Sequence, residues 1–218
     1  MILASASPRR QSLLSEAGYV FTIEPADIDE SNTPAGLLPS GVAEYLAFTK
    51  ATAVAERNSG AVVLGADTVV AFGDQLLGKA RDADDARRIL ELLSGTTHLV
   101  ITGVAVVCKE TGFARRTRTL SAVRMRHLSR DAIERYIVTN DWVGKAGAYG
   151  IQDSDPFVTR LTGSHTNIVG LPMGETKRLL EEAGIPTPHG FHPAVQPSVA
   201  QSGMQGQTVT NTNAAQNK

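Results

Sequence analysis

Arg9 and Arg10 stand where a helix that had only itself to satisfy would not put them. The opening run MILASASPRRQSLLSEAG begins with Met1 to Ala4, long enough only for a strand. Ser7 then suits an N-cap and Pro8 a first helical position, and Leu13, Leu14 and Ala17 recur at helical spacing until Gly18. A helix start already carries about half a positive charge on its unpaired N–H groups, so acidic side chains are favoured there. Two arginines raise that potential further, which makes sense if an anion visits.

Five other places carry groups able to do chemistry. Asp67 lies in VLGADTVV, between two apolar β-branched runs that read as a strand pausing at Gly-Ala-Asp. A carboxylate fixed there can hold a cation or polarise a water, or it can simply close a turn on its own backbone. Glu30, with Asp27 and Asp29, offers acidic oxygens in an early loop, where a solvated role is the plain alternative. Lys50 falls on the face of its helix that should be apolar, so it either snorkels or points into a cleft. Lys79, in LLGKARD, and Gln152, closing AGAYGIQ, are ordinary loop residues taken singly, although the small residues before Gln152 let backbone approach a ligand closely. Together these groups resemble the needs of phosphoryl chemistry: cations for the oxygens, carboxylates for a metal and an attacking water. The chain has no Walker sequence, GxGxxG, HExxH or GxSxG.

The elements that must position these groups alternate in type. Strands are expected at the N-terminus, at Tyr19 to Glu24 and through GAVVLGADTVVAF, with helices from Ser40 to about Asn58 and from Asp82 to about Ser94. The apolar residues Val42, Leu46 and Ala53 should share a face of the first of these helices. HLVITGVAVVCK and the segment from Phe113 to His127 read as a long hairpin turning at Lys109 to Gly112. Arg115, Arg116, Arg118, Arg124 and Arg126 read as its solvated face. Ser129 caps a helix to about Thr139; KAGAYGIQ, FVTRLTG and HTNIVGLP read as strand and turn pieces; a last helix runs from about Gly174 to Ala183. From residue 185 to 218 the composition turns to Pro, Gln, Asn, Ser and Thr, predicting one domain over 1–184 and a disordered tail.

A chain of 218 residues with 42% apolar content suffices for one sizeable core, and a net charge of −1 offers no global field for nucleic acid. The single cysteine, Cys108, sits in an apolar run and reads as a buried strand residue in a reducing compartment. No run is long enough to span a membrane and no secretion signal is evident, so a cytoplasmic location is expected.

ASASPRRQSLL, the TKA around Lys50, VLGADTVV, LGKARDADDA, SGTTH, KAGAYGIQ and GSHTNIVGLP follow one another as in the Maf nucleotide pyrophosphatases, and the chain resembles that family over roughly residues 1 to 184. The resemblance implies a single α/β domain with a long twisted mixed sheet and a deep cleft, similar to the inosine-triphosphate pyrophosphatase fold. It implies hydrolysis of nucleoside triphosphates to monophosphate and pyrophosphate with a divalent cation (Mg, Mn or Co), and by analogy a homodimer. Asp67 matches the family's proton acceptor, and Asp67 and Glu30 the acidic positions near the metal. Ser7, Arg10, Lys50 and Lys79 match phosphate-handling positions. Arg9, Thr68 and Gln152 are the choices of the dTTP/UTP branch, where the 7-methyl-GTP branch has other residues. Thr49, Ala80 and Gly144 depart from common family choices. A relative of the same fold acting on another base, or a nucleotide-binding regulator of cell division, are the alternatives.

Overall fold

A computed structural model of the chain describes residues 1–152 and 157–188. The elements are β1 (Ile2–Leu3), α1 (Pro8–Glu16), β2 (Thr22–Ile23), a 3-10 turn at Glu30–Asn32, α2 (Pro39–Arg57), β3 (Val63–Phe72) and β4 (Gln75–Leu77). They continue with α3 (Ala83–Leu93), β5 (Thr97–Cys108), β6 (Phe113–Met125), α4 (Arg130–Thr139), β7 (Val158–Thr162), α5 (His165–Val169) and α6 (Met173–Glu182). One mixed sheet runs β2-β1-β3-β5-β6-β7, with β4 also on β3. The β2, β1 and β3 pairs are parallel and the others antiparallel. This is the mixed-sheet α/β domain expected.

Both faces of the central strands are covered, which is why β3 and β5 read as near-continuous apolar runs and do not alternate. Val63 packs with Ala47, Ala51 and Val54 of α2 on one face, while Leu64 packs with Leu14 of α1 and Leu179 and Leu180 of α6 on the other. Further along that second face, Val70 and Val100 meet Leu90 of α3 and Ile133 of α4. Among the described residues no helix is long and apolar enough to cross a membrane. Cys108 is buried at the end of β5. Two arginines of β6 are engaged: Arg116 and Arg118 hold Glu44 of α2 at 3.0 and 2.6 Å.

Several expectations are corrected. β3 does not pause at Gly-Ala-Asp; it pairs with β5 without interruption from Val63 to Ala71. The glycine there serves packing: a Cβ on Gly65 would lie 2.3 Å from the carbonyl oxygen of Ala47. α2 starts at Pro39 with Leu38 as N-cap, not at Ser40, because proline already suits a first-turn position. Its buried face passes through Ala43, Leu46, Ala47, Lys50 and Val54, where Val42 and Ala53 are only partly buried. HTNIV is a short helix, not a strand, because the hydroxyl of Ser164 accepts from the N–H of Asn167 and starts it. β2 keeps two residues of the expected strand. Of the expected tail, residues 185–188 lie against the domain: Ile185 N–H bonds the Leu180 carbonyl at 2.8 Å and Thr187 donates to Glu181 at 2.5 Å. Residues 189–218 lie outside the described residues.

Candidate active site

The cleft arises from a gap in the sheet. On the edge of β3 opposite β5, β1 reaches only Val63 and Leu64, and β4 pairs only from Val70 to Phe72. Between them the strand edge around Asp67 and Thr68 has no strand partner among the described residues, and a cleft of about 840 Å³ opens there. Ser7, Arg9, Arg10, Lys50, Lys79 and Gln152 line it. So do Glu30, Asp67 and Thr68, so the nine residues that the resemblance places in the site line one cavity.

Strand alternation sends Asp67 to the α2 face and Thr68 to the other. α2 lies close because β3 and β5 offer it glycines: a Cβ on Gly103, which pairs with Asp67, would stand 2.1 Å from the Ala43 carbonyl oxygen. Lys50 of α2 therefore reaches the strand, with Nζ 2.6 Å from Asp67 Oδ1 and 2.8 Å from Glu30 Oε1. It is a buried cation with two carboxylate partners, so the cleft-facing alternative is the one observed. Glu30 is presented by its 3-10 turn, which Asp29 caps by accepting from Ser31 N–H at 2.9 Å. Asp29 is thus a turn residue. Burial by itself would lift the Glu30 carboxyl; the Lys50 hydrogen bond and charge, with Lys79 and Arg10 beyond, outweigh it and hold Glu30 below its usual value.

Ser7 occupies the N-cap position of α1, but its hydroxyl makes no capping bond. With Pro8 next and no acid in the first turn, the helix start is left to the cleft. Arg9 lines the cleft without a hydrogen bond or ion pair among the described residues. Arg10 is held from three sides: Nε donates to the Gly170 carbonyl at 2.8 Å, Nη1 to Ser5 Oγ at 2.8 Å and Nη2 to Thr68 Oγ1 at 3.1 Å. Burial lowers its guanidinium from the ordinary value, Asp67 and Glu30 oppose that, and Arg9 adds to it.

Lys79 and Gln152 come together because a bridge pairs Lys79 with Ala146, and Gly147 N–H bonds the Gly78 carbonyl at 3.0 Å. Gly147 has φ 73°, and a Cβ there would meet Val70 at 2.8 Å, so the loop demands glycine. Both Lys79 and Gln152 are exposed at the rim.

Residues not singled out from the sequence also belong to the site. Lys145 lines the cleft beside Lys79's partner strand segment. Ser5, Thr102 and Asn167 are buried polar residues behind Arg10 and Thr68. Thr102 left a readable signal, as a lone polar residue inside the apolar run VITGV. Tyr149 lines the cleft and its hydroxyl meets Nε2 of buried His98 at 2.6 Å.

The acidic pair suits a hard divalent cation. Glu30 and Asp67 come from different elements yet converge on one ammonium, and neither carboxylate has another side-chain partner among the described residues. Among those residues no cluster of three or more acidic, His or Cys side chains could enclose a metal. A two-carboxylate donor set matches magnesium, which keeps waters and shares substrate phosphates.

The family model described as Maf-like protein matches residues 1–183. The dTTP/UTP pyrophosphatase of Hahella chejuensis (strain KCTC 2396) is 49% identical over 189 residues, covering 85% of this chain and 92% of that protein. Proteins of the same name from Rhodospirillum rubrum and Myxococcus xanthus are each 48% identical, over 84% and 86% of this chain and 88% and 94% of their own. A nucleoside-triphosphatase (dITP/XTP pyrophosphatase) from Mycobacterium abscessus aligns in structure over 84% of this chain and 97% of its own, at 14% identity and a TM-score of 0.43, a likeness too loose to decide anything. With one family model spanning the whole domain and close relatives matched over nearly their full length, the chain belongs to the family of Maf-like proteins.

Proposed function

We propose that this protein is a nucleoside triphosphate pyrophosphatase that hydrolyses dTTP and UTP to the monophosphate and pyrophosphate. Water attacks the α-phosphorus, its bond to the bridging oxygen of the β-phosphate breaks, and pyrophosphate leaves. Asp67 takes the proton of the attacking water. The observation that carries this reading is the Asp67–Lys50–Glu30 contact at an open strand edge, facing the arginines of the α1 start across one cleft. The names of the relatives support the choice of substrate.

Lys50 orients both carboxylates. Arg9, Lys79 and Lys145 bring positive charge to the rim, where phosphate oxygens would be met by side chains and by the free N–H groups of α1. Glu30 and Asp67 would hold a divalent cation, which when bound neutralises phosphate charge and lowers the pKa of water. We assign the protein to the cytoplasm.

Turnover of UTP, dTTP, GTP and 7-methyl-GTP, followed by pyrophosphate release, tests the reading. The two pyrimidine substrates should be preferred, and Asp67→Asn should lose about 10²-fold or more while keeping its melting temperature. Preference for a purine, or near-normal turnover by Asp67→Asn, would overturn it.

A further inference from the structure

Behind Arg10 the polar groups close into a ring, and its protons can be assigned one by one. Arg10 Nε donates to the Gly170 carbonyl at 2.8 Å, and Gly170 N–H donates to the Asn167 carbonyl at 3.0 Å. Thr102 Oγ1 donates to that same carbonyl at 2.9 Å. The hydroxyls of Thr102 and Thr68 are 2.9 Å apart, and Thr68 Oγ1 accepts from Arg10 Nη2 at 3.1 Å.

Each threonine hydroxyl has a single proton to donate. Thr102 gives its own to a carbonyl, which has none to return, so Thr68 must be the donor across the 2.9 Å contact. Thr68 then offers only lone pairs to Arg10, and no proton remains on it for a ligand in the cleft. Toward a ligand Thr68 can act only as an acceptor, through the lone pair that Arg10 leaves open.

The ring is anchored on every side. Thr102 is fully buried and faces Thr68 in the β3–β5 register. Asn167, also fully buried, fixes α5 by donating from Nδ2 to the Val100 carbonyl at 3.0 Å and to Ser121 Oγ at 2.9 Å. Gly170 has φ 120°, which other residues rarely adopt, so both of its backbone groups stay in the ring. Arg10 has five N–H bonds; with three engaged, one remains on each terminal nitrogen for an anion.

We propose that Thr102 is a positioning residue for phosphate binding: by fixing Thr68 as an acceptor, it orients Arg10 toward the triphosphate. The proposal rests on the substrate class given above. It separates Thr102, which does not line the cleft, from the groups that touch substrate.

The experiment joins nitrogen-15 NMR of arginine side chains with steady-state kinetics. In the wild-type protein the Arg10 Nε–H, identified by its loss in Arg10→Lys, should exchange with solvent about ten-fold or more slowly than that of Arg9. Thr102→Val should speed that exchange and raise KM for UTP and dTTP about ten-fold, with kcat within about three-fold, because a misdirected cation weakens ground and transition states alike. Thr102→Ser, which keeps the hydroxyl, should restore both to within about two-fold. Should Thr102→Val not fold, Thr102→Cys replaces it. An unprotected Arg10 Nε–H in the wild type overturns the proposal, and so does a hydroxyl-free variant with unchanged exchange and KM. If the wild type turns over neither pyrimidine triphosphate, the substrate reading fails, while the exchange rates still decide whether Thr102 orients Arg10.

Discussion

Lys50 illustrates how a residue that looks misplaced on a helix becomes the centre of a site. A buried ammonium alone would be strongly unfavourable, and a buried carboxylate alone equally so. Here the Nζ lies within hydrogen-bond distance of both Asp67 and Glu30, so removing Lys50 leaves two carboxylates facing each other with no cation between them. In the same cleft, exposed Gln152 offers both a donor and an acceptor. That pairing suits the edge of uracil or thymine, which alternates carbonyls with an N–H. Gln152→Glu keeps acceptors only, so one ring carbonyl loses its donor. Leaving such a group unpaired costs roughly 1–3 kcal/mol, or about a 5- to 150-fold drop in kcat/KM for UTP and dTTP. GTP and 7-methyl-GTP should lose much less. Equal losses on all four would mean that Gln152 supports the loop and does not read the base.

Helix α2 and strand β3 work as one unit, because glycines at 65 and 103 let helix backbone rest on the sheet. A Cβ on Gly65 would lie 2.3 Å from Ala47 O, 2.8 Å from Ala51 N and 2.9 Å from Ala51 Cβ. None of these atoms can swing aside. Gly65→Ala must therefore push α2 outward, destabilising the protein by about 3 kcal/mol. Lys50 sits between those contacts along the helix, so it should move away from Asp67, and kcat should fall even well below the melting temperature. Gly174→Ala, in α6 with nothing within 4 Å of the new methyl, provides the control and should be neutral or slightly stabilising. Urea unfolding and kcat of the two variants, compared with wild type, check this. A Gly65→Ala protein with wild-type stability would show that α2 has slack.

Across the whole molecule, acid sensitivity should have a source other than the cleft carboxylates. His98 is buried in the large core cluster against Tyr149, and burial pushes its imidazole down from 6.5 to about 4. The folded state therefore refuses a proton that the unfolded chain accepts below about 6.5. The associated stability is complete above that pH, declines as pH falls toward about 4, and changes no further below it. The full effect is on the order of 3 kcal/mol. Burial holds the Tyr149 hydroxyl well above its ordinary value, so that partner stays neutral throughout. Denaturant unfolding at several pH values between 4 and 7 should show this slope in the wild type and a shallower one in His98→Gln. Identical slopes would place the acid sensitivity elsewhere.

Local chemistry made much of this protein readable in its amino-acid order. Pro8 after Ser7, Asp82 before ADDARRILELL and Ser129 before RDAIERYIVT set helix starts, because those signals act over one turn. The apolar runs of β5 and β6 set the hairpin, and seven spaced motifs set the family. What a residue touches across the sheet was not readable. Gly65 looked like a break because glycine weakens strands, yet its purpose is the approach of a helix from another part of the chain. HTNIVGLP looked extended because its β-branched residues favour strands, until Ser164 capped it and Asn167 tied it to β5 and β6. The residues around Arg10 show the same division. Sequence placed two arginines at a helix start and explained them by an anion, but only the tertiary fold brought Thr68, Thr102 and Gly170 around one of them. Hydrogen bonds between strands and helices far apart in the chain depend on register and packing, and those are settled when the layers meet.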